Sequence, residues 1–235
     1  VMVWSRIAVS DSLLCSMLGI SLIGFWRRYA KPSKNSWLIP WLFLGLAVLT
    51  KGPVALILTV MTLFIFCLFD NIDGIRLISR LKIIPGIFIT LLISLPWYVL
   101  ELLVEGQPFW DSFFGYHNIQ RFTSVVNSHQ APWWFFVLVL CVASLPFTPF
   151  LIKGIFNSFI FAYEKRFSNK DHHSLSIFAL SWLLSVFILF TCAATKLPSY
   201  WLPATPAAAI LIAINHNIFK LRISGKSATL IVTSL

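Results

Sequence analysis

The sequence predicts an all-α fold, a polytopic bundle of transmembrane helices. Hydrophobic residues make up 58% of the chain and charged residues only 11%, and the mean hydropathy is +0.85. A soluble domain could not cover its surface with so few charges. Apolar runs long enough to cross a hydrocarbon core of about 30 Å recur along the chain. Helices are the structure these runs can form, because an isolated strand cannot satisfy its backbone hydrogen bonds in lipid.

Seven apolar runs and the start of an eighth follow one another within one integral-membrane domain, 1–235. The second and third runs are short, roughly 22–26 Å as helices, and Gly52 and Pro53 between them are typical of a helix end and a helix start. Because the chain begins at Val1 and stops inside an apolar run, we expect a fragment of a longer protein. The predicted spans are about 7–26, 36–50, 53–69, 84–100, 133–152, 174–194 and 201–219, with a further span starting at 227.

The net charge of +10 reflects membrane topology rather than nucleic-acid binding. Of the 18 Lys and Arg residues, 14 cluster at alternate ends of successive spans, which the positive-inside rule assigns to the cytoplasmic side. The four cysteines lie inside apolar segments without metal-ligand spacing, so they indicate neither a disulfide nor a metal site. Topology does not explain the four remaining cations, which all map to the opposite face: Arg6, Lys51, Arg121 and Lys196.

The one long outer segment, 98–132, is amphipathic and rich in aromatic residues, which is typical of an extracytoplasmic segment lying along the membrane interface. His117 and Arg121 are spaced i and i+4 within it, so they share one face of a short helix. A solvated helix face explains this spacing as well as a binding site does. A metal at His117 would need ligands from distant parts of the sequence.

Asp11 lies about one turn inside the first span, in "SRIAVSDSLL". An acid within a span usually faces the bundle or a water-filled cavity and marks a functional path. Aspartate is also a favoured N-cap, so Asp11 could instead cap a helix that begins at Ser12. The sequence leaves both interpretations open.

Two outer turns, "LTKGP" and "TKLPSY", each hold one lysine, Lys51 and Lys196. A lysine near a helix end can lift its amine to the headgroups at little cost. Two such lysines together with Arg121, on the face that should be poor in cations, favour an anionic ligand. A phosphate group fits best, because lysine and arginine both pair with it. Tyr200 could add a neutral donor.

Six motifs follow one another along the chain: "SRIAVSDSLL", "LTKGPVALIL", "LPWYV", "FFGYHNIQRF", "HQAPWWFF" and "TKLPSYWLP". In this order they resemble the ArnT-like branch of the polyprenyl-phosphate-dependent glycosyltransferases, relatives of the protein O-mannosyltransferases with the GT-C fold. The resemblance covers nearly the whole chain. It implies an enzyme of the bacterial inner membrane that transfers a sugar, on the extracytoplasmic face and with inversion, from a polyprenyl-phosphate-linked donor to a lipid A-type glycolipid or a protein hydroxyl.

The resemblance also implies roles for individual residues. Asp11 matches an acidic, catalytic position, and His117 matches a histidine near a divalent metal that only some relatives need. The family's first outer loop, which holds an acidic pair and the main catalytic base, would lie upstream of Val1, so the fragment alone is expected to be inactive. "SLPFTPF" departs from a proline-tryptophan pair common in relatives. The positions implied to surround the carrier phosphate are Lys51, Arg121, Lys196 and Tyr200.

Two other classes of function remain open. A transporter or lipid flippase would carry charges through the middle of its spans, whereas the span centres between 36 and 100 carry none. In a non-catalytic membrane scaffold, the outer charges need not converge. Membrane lipids are partners in every case.

Overall fold

A computed structural model describes residues 10–32, 37–120, 123–124, 131–168 and 174–220, and these residues contain helices and no strands. Five helices make up the first half: α1 (Ser10–Ala30), α2 (Leu38–Lys51), α3 (Pro53–Phe69), α4 (Gly74–Leu81) and α5 (Ile83–Glu105). A helical turn, α6 (Gln107–Phe109), leads into a π-helical segment, Trp110–Gln120. The second half holds α7 (Phe135–Ala143), α8 (Thr148–Ser168), α9 (Ser174–Cys192), a 3₁₀ segment (Pro198–Ala204) and α10 (Thr205–Lys220).

The core of the bundle lies between α1, α2, α3 and α9. A stripe of side chains on α1, at helical spacing, is fully buried: Leu14, Leu18 and Leu22. The helix α9 packs against α3, and Trp182 near its middle is completely buried. Most side chains of α9 between Ser176 and Phe190 are buried. Protein therefore covers most of this apolar helix among the described residues.

The helix α5 packs on α2 through a close approach at Gly86. A Cβ atom at residue 86 would lie 2.0 Å from the Trp41 ring, so only glycine fits there. The Trp41 indole donates to the Leu81 carbonyl (2.9 Å), and the Thr90 hydroxyl donates to the Trp41 carbonyl (3.1 Å). The other side of α5 exposes large apolar residues such as Ile84 and Val104, as a lipid-facing helix does.

Two helices among the described residues, α5 and α9, are each long and apolar enough to cross a membrane alone. The pair α7 and α8 would count as a third crossing if the two form one broken span. The helices α2 and α3 are apolar but shorter, as predicted. The chain is therefore an integral membrane protein, while the number of crossings stays a prediction. The span predicted to start at 227 lies outside the described residues.

The span predicted over 133–152 is not one continuous helix, because α7 ends at Ala143 and α8 leaves it at an angle of 119°. Pro146 has no N–H to continue the helix, and its ring clashes with the preceding turn. The Thr148 hydroxyl donates to the Cys141 carbonyl (2.7 Å), which gives one of the carbonyls at the end of α7 a partner. The boundary of the outer segment also differs, because α5 extends through its first residues to Glu105.

Candidate functional site

The turn that carries Lys51 is fixed by its two neighbours. Lys51 is the last residue of α2, and Gly52 ends the helix with φ +66°, a conformation that glycine adopts readily. A Cβ atom at residue 52 would also lie 3.0 Å from the Phe113 ring. Pro53 then begins α3, as the sequence predicts. The start and end of the two short helices therefore position Lys51 at their junction.

Lys51 forms an ion pair with Asp11 in the first turn of α1. The Asp11 side chain is 5% exposed and that of Lys51 is 20% exposed. Burying a carboxylate in an apolar bundle is costly unless a cation pairs with it. The structure therefore favours the interpretation in which Asp11 faces the bundle, and its carboxylate holds the Lys51 amine on the inner side of the turn.

Tyr200 lies on the other side of the same amine. The Nζ atom of Lys51 is 4.3 Å from the centroid of the buried Tyr200 ring, in cation–π geometry. The Tyr200 ring stacks in turn on Phe190 of α9, with centroids 4.9 Å apart. The 3₁₀ segment that carries Tyr200 is tied to α1, because the Cys15 thiol donates to the Leu202 carbonyl (3.1 Å).

Lys196, the second predicted lysine, contacts its own turn. Its Nζ atom donates to the Ala193 carbonyl at 3.3 Å, and the side chain is half-buried. The neighbouring Thr195 hydroxyl donates to the Ser124 carbonyl (3.0 Å), so this turn touches the chain just after the outer helical segment. The structure thus brings together Asp11, Lys51 and Tyr200, whereas the described contact of Lys196 is local.

Two other predicted site residues, Arg121 and His117, are described in part or not at all. Arg121 lies outside the described residues, and for His117 only the backbone, within the π-helical segment, is described. In the described part of the chain, no three His, Cys, Asp or Glu side chains come close enough to hold a metal ion. The roles of Arg121 at a phosphate and of His117 at a divalent metal stay predictions.

A cavity of about 590 Å³ lies between α2, α3 and α5. Gly52 and Pro53, the two residues after Lys51, are part of its wall. The rest of the lining is almost entirely aliphatic and aromatic, for example Leu56, Val60 and Leu91. We call this cavity the α3–α5 groove. Because it is long and apolar, it fits a hydrocarbon chain better than a sugar or a peptide.

The few hydroxyl groups in the groove lining are already hydrogen-bonded to backbone carbonyls. Tyr98 donates to the Val48 carbonyl (2.7 Å), Thr59 to that of Ala55 (2.9 Å) and Ser94 to that of Thr90 (2.9 Å). A hydroxyl that donates to a backbone carbonyl costs little in an apolar surrounding. The α3–α5 groove is therefore apolar along its length, and its wall includes Gly52 and Pro53, the two residues that follow Lys51 in the chain.

The sequence did not assign a role to Tyr98, Phe113 or Phe190. Tyr98 belongs to the "LPWYV" motif, which we noted only as part of the resemblance. Phe190 lies in a continuous apolar run, where no pattern distinguishes a ring beside the site from any other core residue. A buried tyrosine needs a hydrogen-bond partner, and that need was the one available signal for Tyr98.

Comparisons with known proteins identify several similar sequences. No protein-family model matches the chain. It is 28% identical over 226 residues to the undecaprenyl phosphate-alpha-4-amino-4-deoxy-L-arabinose arabinosyl transferase of Erwinia tasmaniensis, covering 94% of this chain and 38% of that protein. It is 29% identical over 212 residues to arabinosyl transferase 2 of the same kind from Proteus mirabilis, covering 88% and 36%. The chain thus spans little more than a third of the length of these relatives.

The fold is similar to that of ArnT from Cupriavidus metallidurans. The crystal structure of that protein bound to undecaprenyl phosphate superposes with a TM-score of 0.76 at 22% identity, covering 94% of this chain and 38% of that one. The apo structure gives 0.70 at 23% identity, with 92% and 36% covered. The comparisons confirm the resemblance to the ArnT-like transferases, and the chain is a polytopic membrane protein with their GT-C fold.

Proposed function

We propose that the protein is a glycosyltransferase that moves a sugar from a polyprenyl-phosphate carrier to an acceptor hydroxyl, with inversion at the anomeric carbon. The observation that supports this best is the apolar α3–α5 groove, whose wall includes the two residues that follow the buried ion pair's Lys51 in the chain. A carrier of this kind has the same two parts, an isoprenoid chain and a phosphate at its end. In the proposed complex the chain lies in the groove and the phosphate lies near Lys51.

The chemistry requires a cation at the phosphate. When the sugar–phosphate bond breaks, negative charge grows on the oxygen of the leaving polyprenyl phosphate. A fixed ammonium group in a partly dehydrated site stabilises that charge more in the transition state than in the ground state. Asp11 holds Lys51 ready for this role, so no solvent reorganisation is needed during the reaction. Lys196 and Arg121 are proposed to approach the phosphate from the outer side, together with the hydroxyl of Tyr200.

A carboxylate must deprotonate the acceptor hydroxyl. Asp11 contacts Lys51, the residue proposed to bind the phosphate, but its carboxylate is already paired with that lysine. We therefore assign Asp11 to positioning Lys51 and assign the general base to another carboxylate of the protein.

The substrates are proposed from the relatives. The curated relatives are arabinosyl transferases named for an undecaprenyl phosphate-linked aminoarabinose donor, and one solved relative is bound to undecaprenyl phosphate. We propose a donor of the same class here, with a lipid A-type glycolipid or a protein hydroxyl as the acceptor.

A flippase is not favoured. It would move the carrier across the membrane along a path lined by polar groups. Among the described residues, the buried charged side chains lie instead at helix ends: Asp11 at the start of α1, Arg28 near its end and Asp70 after α3. These charged side chains therefore do not support a transport path through the bundle.

Reconstitution of the full-length protein with a polyprenyl-phosphate sugar labelled in the sugar tests the proposal. The expected result is label on an acceptor and free polyprenyl phosphate in equal amounts. A Lys51→Met variant should lose this transfer, and Lys153→Met, which removes an exposed lysine on α8, should keep it. Movement of intact labelled donor across the vesicle membrane without cleavage would contradict the proposal and support the flippase.

We further propose that the protein lies in the bacterial inner membrane with residues 98–132 outside. The support is the 14-to-4 distribution of basic residues between the two faces. Single cysteines at Gln107 and Ser168, in a chain without its four native cysteines, can be labelled in intact cells with a reagent that does not cross the membrane. Position 107 should react and position 168 should not, and the reverse result would invert the proposed topology.

A further inference from the structure

A second cavity lies at the other end of α1 and α2 from Lys51. It has a volume of about 520 Å³ and is lined by Trp26, Arg27 and Ala30 of α1, by Lys31 directly after that helix and by Ile39 of α2, among others. We call it the α1–α2 cavity. Arg27 lies 16 residues after Asp11 on the same helix, which corresponds to about 24 Å at 1.5 Å per residue. The α1–α2 cavity is therefore separate from the proposed phosphate site.

The shape of the α1–α2 cavity follows from the packing of the two helices. They approach most closely at Gly24, where a Cβ atom would lie 3.0 Å from Pro40. The Ser21 hydroxyl donates to the Pro40 carbonyl (2.8 Å) and fixes this contact. Beyond that point the end of α1 and the start of α2 leave space between them, so the close contact forms the floor of the cavity.

No contact among the described residues uses the side chains of the two cations of the α1–α2 cavity. The Lys31 N–H, directly after α1, donates to the Arg27 carbonyl (2.8 Å), so the two cations lie together at the end of the helix, and both are exposed. Neither side chain has an ion-pair or hydrogen-bond partner among the described residues. Arg28, the adjacent residue, is different, because it is buried and donates to the Arg80 carbonyl (2.9 Å). None of the described residues that line the cavity is acidic.

An apolar surface continues from the α1–α2 cavity along both helices. Ile20 and Ile23 of α1 and Ile39 and Leu42 of α2 are all exposed large apolar residues. Apolar side chains are therefore exposed along α1 and α2, and the two cations are exposed where α1 ends. Trp26 also lines the cavity, and tryptophan is enriched where membrane proteins meet the lipid headgroups.

We propose that the α1–α2 cavity binds an anionic phospholipid. Arg27 and Lys31 pair with the headgroup phosphate, and the acyl chains lie on the apolar surface formed by Ile20, Ile23, Ile39 and Leu42. Basic pockets between transmembrane helices bind anionic headgroups in this way. The apolar surface distinguishes a lipid from a free phosphate, because inorganic phosphate would leave it uncovered. This proposal does not rest on the proposed transferase function.

Lipid titration of the purified protein in non-ionic detergent, with bound lipids counted by native mass spectrometry, tests the proposal. Phosphatidylglycerol should bind more tightly than phosphatidylcholine with the same acyl chains. The double variant Arg27→Gln/Lys31→Gln should bind phosphatidylglycerol at least tenfold more weakly, since each cation near the surface contributes about a fivefold effect. The matched variant Arg76→Gln/Lys153→Gln removes two exposed cations from α4 and α8 and should bind as the parent does.

Three results would overturn the proposal: equal affinity of the parent for the two lipids, unchanged affinity in the double variant, or release of phosphatidylglycerol by an equal concentration of inorganic phosphate. The last result would assign the cavity to a free phosphate. If the double variant does not fold, the single variant Lys31→Gln tests the proposal instead, because the exposed Lys31 side chain makes no described contact that folding needs. It should lower the affinity about fivefold, and an unchanged affinity would reject the lipid site.

Discussion

The two lysine turns of the outer face are similar in sequence but differ in structure. In "LTKGP" the amine of Lys51 is enclosed between the Asp11 carboxylate and the Tyr200 ring. In "TKLPSY" the amine of Lys196 donates to a carbonyl three residues back in its own turn. Lys51 is therefore held by residues that are distant in sequence, whereas the described contact of Lys196 lies within its own turn. A lysine next to a proline turn does not predict which arrangement forms, because the arrangement depends on the helix that packs against the turn.

The comparison predicts that Lys51→Ala has the largest effect. Loss of a fixed charge at the leaving group should lower turnover on the order of 30- to 1000-fold, or about 2–4 kcal/mol. It should also leave the Asp11 carboxylate buried without its cation, which lowers stability by about 1–3 kcal/mol. Turnover in reconstituted membranes and thermal unfolding in detergent measure the two effects.

The double variant Asp11→Asn/Lys51→Ala separates the two effects. The neutral amide removes the buried charge, so thermal stability should return toward that of the parent, while turnover should stay low. Recovery of both quantities together would mean that Lys51 only neutralises Asp11 and has no role at a phosphate.

Lys196→Ala should have the second largest effect, and on turnover alone. The hydrogen bond to the Ala193 carbonyl is long and joins neighbouring residues, so its loss should leave stability and membrane insertion unchanged. Turnover should fall on the order of 30-fold if the amine leaves this carbonyl for the carrier phosphate. Turnover equal to that of the parent would make Lys196 a snorkelling residue of an ordinary turn.

Replacement of Tyr200 should have the smallest effect and should identify which part of the side chain matters. Tyr200→Phe keeps a ring beside Lys51 and removes the hydroxyl, whereas Tyr200→Leu removes both. If the ring positions Lys51, Tyr200→Leu should lower turnover several-fold, as expected for a cation–π contact of about 1 kcal/mol. Tyr200→Phe should leave turnover unchanged. An equal loss in both variants would instead support the hydroxyl as a donor to the phosphate.

Much of the local structure could be predicted from the sequence. Gly52 and Pro53 mark the junction of α2 and α3 because their backbone preferences do not depend on the rest of the fold. Hydropathy does not predict the break at Pro146, because the residues on both sides are apolar and together have a suitable length for one span. The mean hydropathy of a window does not depend on whether one residue lacks a backbone N–H.

The site itself depends on contacts that are distant in sequence. Asp11 and Lys51 are 40 residues apart, and their pairing requires a particular register between α1 and α2. The α3–α5 groove depends on how closely α5 approaches α2, which the contact of Gly86 with Trp41 determines. The sequence predicted which charged residues topology leaves unexplained, but it could not predict which of them would meet.

Binding of a polyprenyl phosphate that lacks a sugar decides whether Lys51, held by Asp11, contacts the carrier phosphate. We expect Lys51→Met to bind this ligand at least tenfold more weakly than the parent, and Lys196→Met to show a smaller loss. Lys153→Met should be unaffected, and added salt should weaken binding to the parent more than binding to Lys51→Met. Equal affinity and equal salt dependence in all four proteins would show that Lys51 does not bind the phosphate.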